Sequence, residues 1–315
     1  MGANVMFLAD NSGSMNSAVY HKGYDNHATY TGPFTRNATY FVAKPGERVP
    51  ADFDPALPTA PSAYLTDSDA GKPGRYLGNY LNWIYYHASA EQRAALPRVT
   101  RIQVLKQVLV TVLYRSQRLD VGLTVFQYDH GGSGIGKCGV NPKSLEAQIE
   151  GIAAVSWTPL GEAAETVLDY FSYDGPDAAI KSECQYNFLI VVTDGLPTMD
   201  TEVSSYLHDT DGDGNDPGNC ASIGSPEPET SNCSDYFDDV TWYMAHEDLR
   251  PDLDGPQNVL TYVVGYHEDG QLLRDAAENG DGLFFYAESA AELILSIEYA
   301  LQDILRRISA GSAVA

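Results

Sequence analysis

The chain has 315 residues and is 43% hydrophobic, enough for a sizeable core and too much for a disordered polymer. Its 19 basic and 43 acidic residues leave a formal charge of −24, which argues against nucleic acid as a partner, because phosphate binding needs a basic face. No apolar run of about 18 residues is present, so no membrane span is expected.

In chain order, the first element is the buried-strand pattern 4–9, around Val5-Met6-Phe7-Leu8. It runs directly into Asp10-Asn11-Ser12-Gly13-Ser14. The strand begins within a few residues of Met1, so the chain is expected to be a mature or excised piece. Residues 17–97 are rich in Tyr, Pro, Gly and Asn and read as a large insertion. Residues 98–116 carry Val99, Ile102, Leu105, Val108, Leu109, Val112 and Leu113 at helical steps. Residues 119–127 alternate, as in a strand nearer an edge. The glycine-rich stretch after it lacks the Lys-Ser/Thr of a phosphate loop. Helices are expected at 144–152 and 160–171, the second just after Thr158. The apolar strand 187–193 ends at Asp194. The acidic stretch 195–235 reads as a second insertion. A helix at 236–249, a strand at 258–264, a helix at 271–279 and a short strand at 283–286 follow. The final helix, 289–308, has Ser289 as N-cap and Glu292 three residues on.

Continuous apolar strands alternating with helices predict an α/β fold: a mostly parallel central sheet flanked by helices, of Rossmann-like type, in a single domain over 1–315. Ligands of such sheets bind at the carboxyl ends of the strands, where strand order reverses. Asp10, Thr158 and Asp194 all map to that edge. Both insertions leave from it and are expected to flank it, and long loops in compact domains are usually functional.

One carboxylate and two hydroxyls on a tight loop (Asp10, Ser12, Ser14), a loop hydroxyl (Thr158) and a second strand-end carboxylate (Asp194) form an all-oxygen donor set. Such a set suits a hard divalent cation, magnesium or manganese. The bland alternative is two Asp residues capping helices beside a serine turn. A second candidate is Asp209-Thr210-Asp211-Gly212-Asp213-Gly214-Asn215. Asp209, Asp211 and Asp213 occupy positions 1, 3 and 5 of an EF-hand-like calcium loop, with Asn215 at position 7. Position 12 is Cys220 rather than Glu, so Asp216 or Glu227 would have to close the shell. Of the four cysteines, Cys220 and Cys233 flank a Pro/Ser/Glu-rich loop and are expected to pair in an oxidising compartment. Cys138 and Cys184 stay open, because four cysteines allow three pairings. The 21 tyrosines read as packing of the insertion ahead of a contact surface.

The Asp-x-Ser-x-Ser, Thr, Asp order at strand ends resembles the metal-ion-dependent adhesion site of von Willebrand factor A domains. Several segments resemble one branch of that family, the type IV pilus tip-associated adhesins of the PilY/PilC group. They include residues 4–15, Gly78-Asn79-Tyr80-Leu81-Asn82-Trp83, Arg101-Ile102-Gln103-Val104-Leu105-Lys106, Thr193-Asp194-Gly195-Leu196-Pro197, Asp238-Asp239-Val240 and Thr261-Tyr262-Val263-Val264-Gly265-Tyr266. The resemblance implies a noncatalytic adhesion module, exported to the cell surface or a pilus tip. It implies a cation held by Asp10, Ser12, Ser14, Thr158 and Asp194, and a partner presenting an acidic group. Contact with minor pilins would pass through a C-terminal propeller that this sequence does not contain. The final helix would be the element that senses force. The alternative is a pilus-assembly factor that binds other pilus proteins. An enzyme is not expected, because no His or Glu stands at a fixed spacing from the cation donors as a general base.

Overall fold

The computed structural model describes residues 2–42, 74–116 and 118–312. In chain order the strands are β1 (Ala3–Ala9), β2 (Thr39–Val42), β3 (Gly74–Leu77), β4 (Leu119–Phe126), β5 (Gly132–Gly136), β6 (Asn187–Thr193), β7 (Leu260–Tyr266) and β8 (Phe284–Ala287). The α-helices are α1 (Gly78–Asn82), α2 (Ala90–Ala94), α3 (Arg101–Arg115), α4 (Pro142–Glu150), α5 (Leu160–Ser172), α6 (Tyr236–His246), α7 (Gln271–Asn279) and α8 (Ala290–Ser312). Contacts divide the chain into two compact units.

The first unit comprises Met1–Ser12 and Lys106–Ala315. It is built on a six-stranded sheet in the order β5-β4-β1-β6-β7-β8. All neighbours run parallel except β5, which pairs antiparallel with β4. This is the mostly parallel α/β architecture expected. Every residue of β1 and β6 is buried, which requires cover on both faces and explains their continuous apolar runs. Successive side chains point to opposite faces. Met6, Leu8, Leu189, Val191 and Val263 pack with α5, α6 and α7 in one core cluster. On the opposite face, the Tyr262 hydroxyl donates to Asp303 Oδ2 of α8 at 2.8 Å, and Leu293 and Ile297 of that helix are buried. Strand order reverses beside β1: β4 lies on one side of it and β6 on the other.

Helix and strand boundaries fall within a few residues of expectation. The alternating strand β4 lies one place in from the edge. The edge itself is β5, Gly-Ser-Gly-Ile-Gly, read from sequence only as a glycine-rich loop. Those residues have little intrinsic strand preference, and pairing with β4 makes them a strand.

The second unit, Gly13–Leu105, contains the stretch 17–97 expected as an insertion. It has its own core of Phe34, Tyr76, Tyr80, Leu81, Trp83 and Ile84. Tyr80 and Trp83 stack at 5.7 Å between ring centroids, and Tyr24 meets Tyr80 edge-on at 4.8 Å. The Asn79-Tyr80-Leu81-Asn82-Trp83 segment supplies two amide clamps. Asn79 accepts from Tyr30 N and donates to the Tyr24 hydroxyl and Ala28 O. Asn82 accepts from Phe34 N and donates to Tyr30 O and Phe34 O. Tyrosine in this unit is thus largely packing material, held by two buried asparagines.

Candidate metal centre

β1 and β6 deliver Asp10 and Asp194 side by side, because Ala9 pairs with Val192 in the parallel register. The Asp10 amide donates to Val192 O at 2.9 Å, which prolongs the ladder by one bond. The Asp10 carboxylate then ties its own loop to the end of β6. Oδ1 accepts from Ser12 N at 2.6 Å; Oδ2 accepts from the Thr193 hydroxyl at 2.8 Å and Asp194 N at 3.1 Å. Complete burial raises its pKa above the ordinary carboxylate range, and the Asp194 charge raises it further.

The third arm is the segment 154–158, with isolated bridges at Ser156 and Thr158. Asn11 O accepts from Val155 N and Ser156 N, and Ser12 bridges Ser156 in parallel fashion. Thr158 bridges Thr198: Thr198 N donates to Thr158 O at 3.0 Å, and Thr158 N donates to Thr198 Oγ1 at 3.1 Å. The first unit thus brings together Asp10, Ser12, Thr158 and Asp194, all buried, at the carboxyl edge of the sheet where strand order reverses. Ser14 lies two residues further along the chain, in the 3-10 turn Gly13–Asn16 at the start of the second unit.

Two residues that sequence reading missed hold this arm. Asp200, fully buried, accepts from Gly161 N and Glu162 N at 2.9 Å each and from the Ser234 hydroxyl at 3.0 Å. It caps the N-terminus of α5, whose own N-cap position is Pro159 and supplies no side-chain bond. Burial pushes its pKa up to about 8, the backbone bonds lowering it and Glu162 raising it. Glu162 accepts from Gly131 N and Glu202 N at 2.9 Å, so the first turn of α5 grips two neighbouring loops.

In the acidic stretch, carboxylate oxygens of Asp209, Asp211 and Asp213 lie within 4.8 Å of one another. Gly212 and Gly214 take φ of 78° and 79°, a conformation glycine adopts without strain. Asn215 donates to Asp213 through its backbone N and its side chain. Asp216 pairs with His208 at 3.4 Å, and the exposed Glu227 donates its amide to Ser225. The first turn of α6 crowds the loop. The Asp239 side chain accepts from Thr210 N at 2.7 Å. Burial, then the charges of Asp235, Asp211, Asp239 and Asp213, raise Asp238 to about 9. Asp235 and Asp239 are each raised to about 6, burial again being the largest cause. The Asp238-Asp239 pair was visible in the sequence, but its proximity to a loop about 30 residues earlier was not.

Cys220 and Cys233 form a disulfide with a Cα–Cα distance of 4.8 Å. Cys138 and Cys184 are free thiols. Burial pushes the Cys138 thiol up to about 12, and its backbone N donates to the Tyr170 hydroxyl, so it is a structural residue rather than a nucleophile. Among the described residues, no helix is long and apolar enough to cross a membrane.

A scan against protein-family models and a search of curated proteins each return no match. Solved structures similar to this chain include an aerotolerance-related membrane protein from Bacteroides fragilis, at 10% identity and TM-score 0.43, covering 96% of this chain and 100% of that one. The PilB minor pilin from Streptococcus sanguinis is similar at 14% identity and TM-score 0.46, covering 98% and 62%. The von Willebrand factor domain of the type V pili tip protein Mfa5 from Porphyromonas gingivalis is similar at 11% identity and TM-score 0.45, covering 98% and 97%.

Proposed function

We propose that this chain is a noncatalytic, metal-dependent binding module of von Willebrand factor A type that works at a bacterial surface or pilus tip. The observation that carries this reading is the meeting of Asp10, Ser12, Thr158 and Asp194 at the reversal of strand order. The sequence motif adds Ser14 to them. The donors are all oxygen and suit magnesium or manganese better than a soft metal. A cation there would offer a coordination position to an acidic group of a partner. Asp10 accepts from Ser12 N, the Thr193 hydroxyl and Asp194 N, so besides facing the cation it fixes the Ser12 loop against β6. The disulfide fits an oxidising, extracellular compartment. Contact with pilus proteins such as minor pilins would pass through parts of an adhesin outside this sequence.

The test is isothermal titration of magnesium and manganese into metal-stripped protein, beside an Asp10→Ala variant and a calcium control. Uptake by the wild type that disappears in the variant supports the reading. No uptake by the wild type, in protein whose melting shows it folded, sinks it.

The Asp209–Asn215 loop is a second cation site in this proposal, for calcium, with the α6 carboxylates closing it. The final helix is the element through which pull on the chain would reach the cation edge. It is held by Tyr262 to Asp303 and by the Arg115–Glu298 pair. A covalent staple fastening α8 to β7 is expected to change the affinity of the magnesium-loaded module for acidic ligands. Equal affinity with and without the staple would remove the coupling.

A further inference from the structure

The segment that carries Thr158 alternates strictly: Ala154, Ser156 and Thr158 are buried, whereas Val155 and Trp157 are 47% and 41% exposed. The buried set supplies the hydroxyls of Ser156 and Thr158, and the exposed set two large apolar side chains. A third joins them. Tyr128 is 61% exposed and sits at φ 54°, a left-handed conformation that costs a residue with a side chain. It is held there from the Thr158 segment itself: Tyr128 O accepts from the Ser156 hydroxyl at 2.8 Å and from Trp157 N at 3.1 Å. An exposed Trp and an exposed Tyr, joined through their backbones one residue before Thr158, have the composition of a binding hot spot.

The charges around this rim restrict what can dock. Asp129 and Glu202 flank His130 at 3.3 and 3.8 Å, and the chain carries −24 overall. A polyanion would meet repulsion from these carboxylates and from the net negative charge. A ligand with one carboxylate and an otherwise uncharged, apolar contact face meets none.

We propose that Tyr128, Val155 and Trp157 form an apolar rim that selects a peptide segment in which a single acidic residue is followed by an apolar side chain. This rests on the adhesion-site reading above: the carboxylate goes to the cation, and the neighbouring side chain to Trp157 and Tyr128.

The probes are N-acetyl-Asp-Leu-amide, N-acetyl-Asp-Ala-amide, hexaglutamate and glucuronic acid, titrated into magnesium-loaded protein. The Leu peptide is expected to bind at least about fivefold more tightly than the Ala peptide, and hexaglutamate more weakly than either. Trp157→Ala is expected to erase the preference and Trp157→Phe to restore most of it, with magnesium uptake of each variant read in parallel to show that the Thr158 segment is intact. Equal affinity for the two peptides overturns the proposal while leaving the cation site standing. So does glucuronic acid binding that depends on Trp157 where the peptides fail, which would assign the rim to acidic glycans. So does magnesium-dependent self-association, which would assign it to a second copy. Failure of the wild type to take up magnesium overturns the adhesion-site reading and this proposal together.

Discussion

At the scale of single residues, the first unit carries a burden of buried negative charge. Asp238 and Asp200 are both held above the ordinary carboxylate range, to about 9 and about 8, chiefly by burial. The sign of the consequence is fixed. A carboxyl whose pKa is higher in the folded state contributes stability that is fully present below the unfolded value, near 4. That contribution is lost as pH rises through the folded value. Metal-free protein should therefore melt at a lower temperature at about pH 8 than at about pH 5. Asp238→Asn keeps the shape and removes the charge, so it should flatten that fall. Under the proposed calcium site it should also weaken the rise in melting temperature expected from calcium at pH 8, because a cation favours the ionised cluster. Calorimetry with and without calcium reads both effects. Equal calcium stabilisation in wild type and variant would exclude Asp238 from the site. A plainer role for the α6 acids remains in either case: Asp238 and Asp239 sit in a first helical turn, where the helix dipole favours negative charge.

At the scale of elements, α5 is the one most dependent on distant chain. Its N-terminus is capped by Asp200, almost 40 residues later. Asp200→Ala would leave two amides and the Ser234 hydroxyl without their acceptor, at a cost of about 3 kcal/mol. That corresponds to a fall in melting temperature of roughly 6 °C, and because α5 follows Thr158 directly, magnesium uptake should weaken with it. A fall under about 2 °C would mean that water replaces the cap. The same contrast explains what the sequence disclosed. Asp10, Thr158 and Asp194 were legible because each is set by local pattern: an apolar strand with a polar residue at its end, or a turn before an amphipathic helix. Asp200 and Glu162 were not, because an acid in a loop looks the same whether it caps a remote helix or meets water. The strand β5 was hidden for another reason: its glycines acquire strand geometry only from β4. In the second unit, the elements between Thr39 and Ala94 lie in Tyr- and Gly-rich chain without periodicity, and aromatic stacking and asparagine clamps hold them.

For the whole molecule, the sheet has two borders that could recruit another chain's strand. β8, with Phe284, Phe285 and Tyr286, is four residues long, and short edges template poorly. β5 is five residues long, three of them glycine, and its pairing with β4 shifts register between Leu123 and Thr124. A glycine-rich strand beside an irregular register offers a poor surface on which to extend a sheet. A Cβ added at Gly134 meets nothing within 4 Å, so a larger residue fits the fold there without a clash. Gly134→Val should therefore leave the melting temperature nearly unchanged or raise it slightly, because valine favours strands. Yet it should make the protein self-associate on storage at high concentration, as light scattering would register. Unchanged solubility would mean that the strong negative charge alone keeps molecules apart. If solubility falls, the glycines of β5 act as insulation, guarding a protein built around an open sheet against polymerising through its own border.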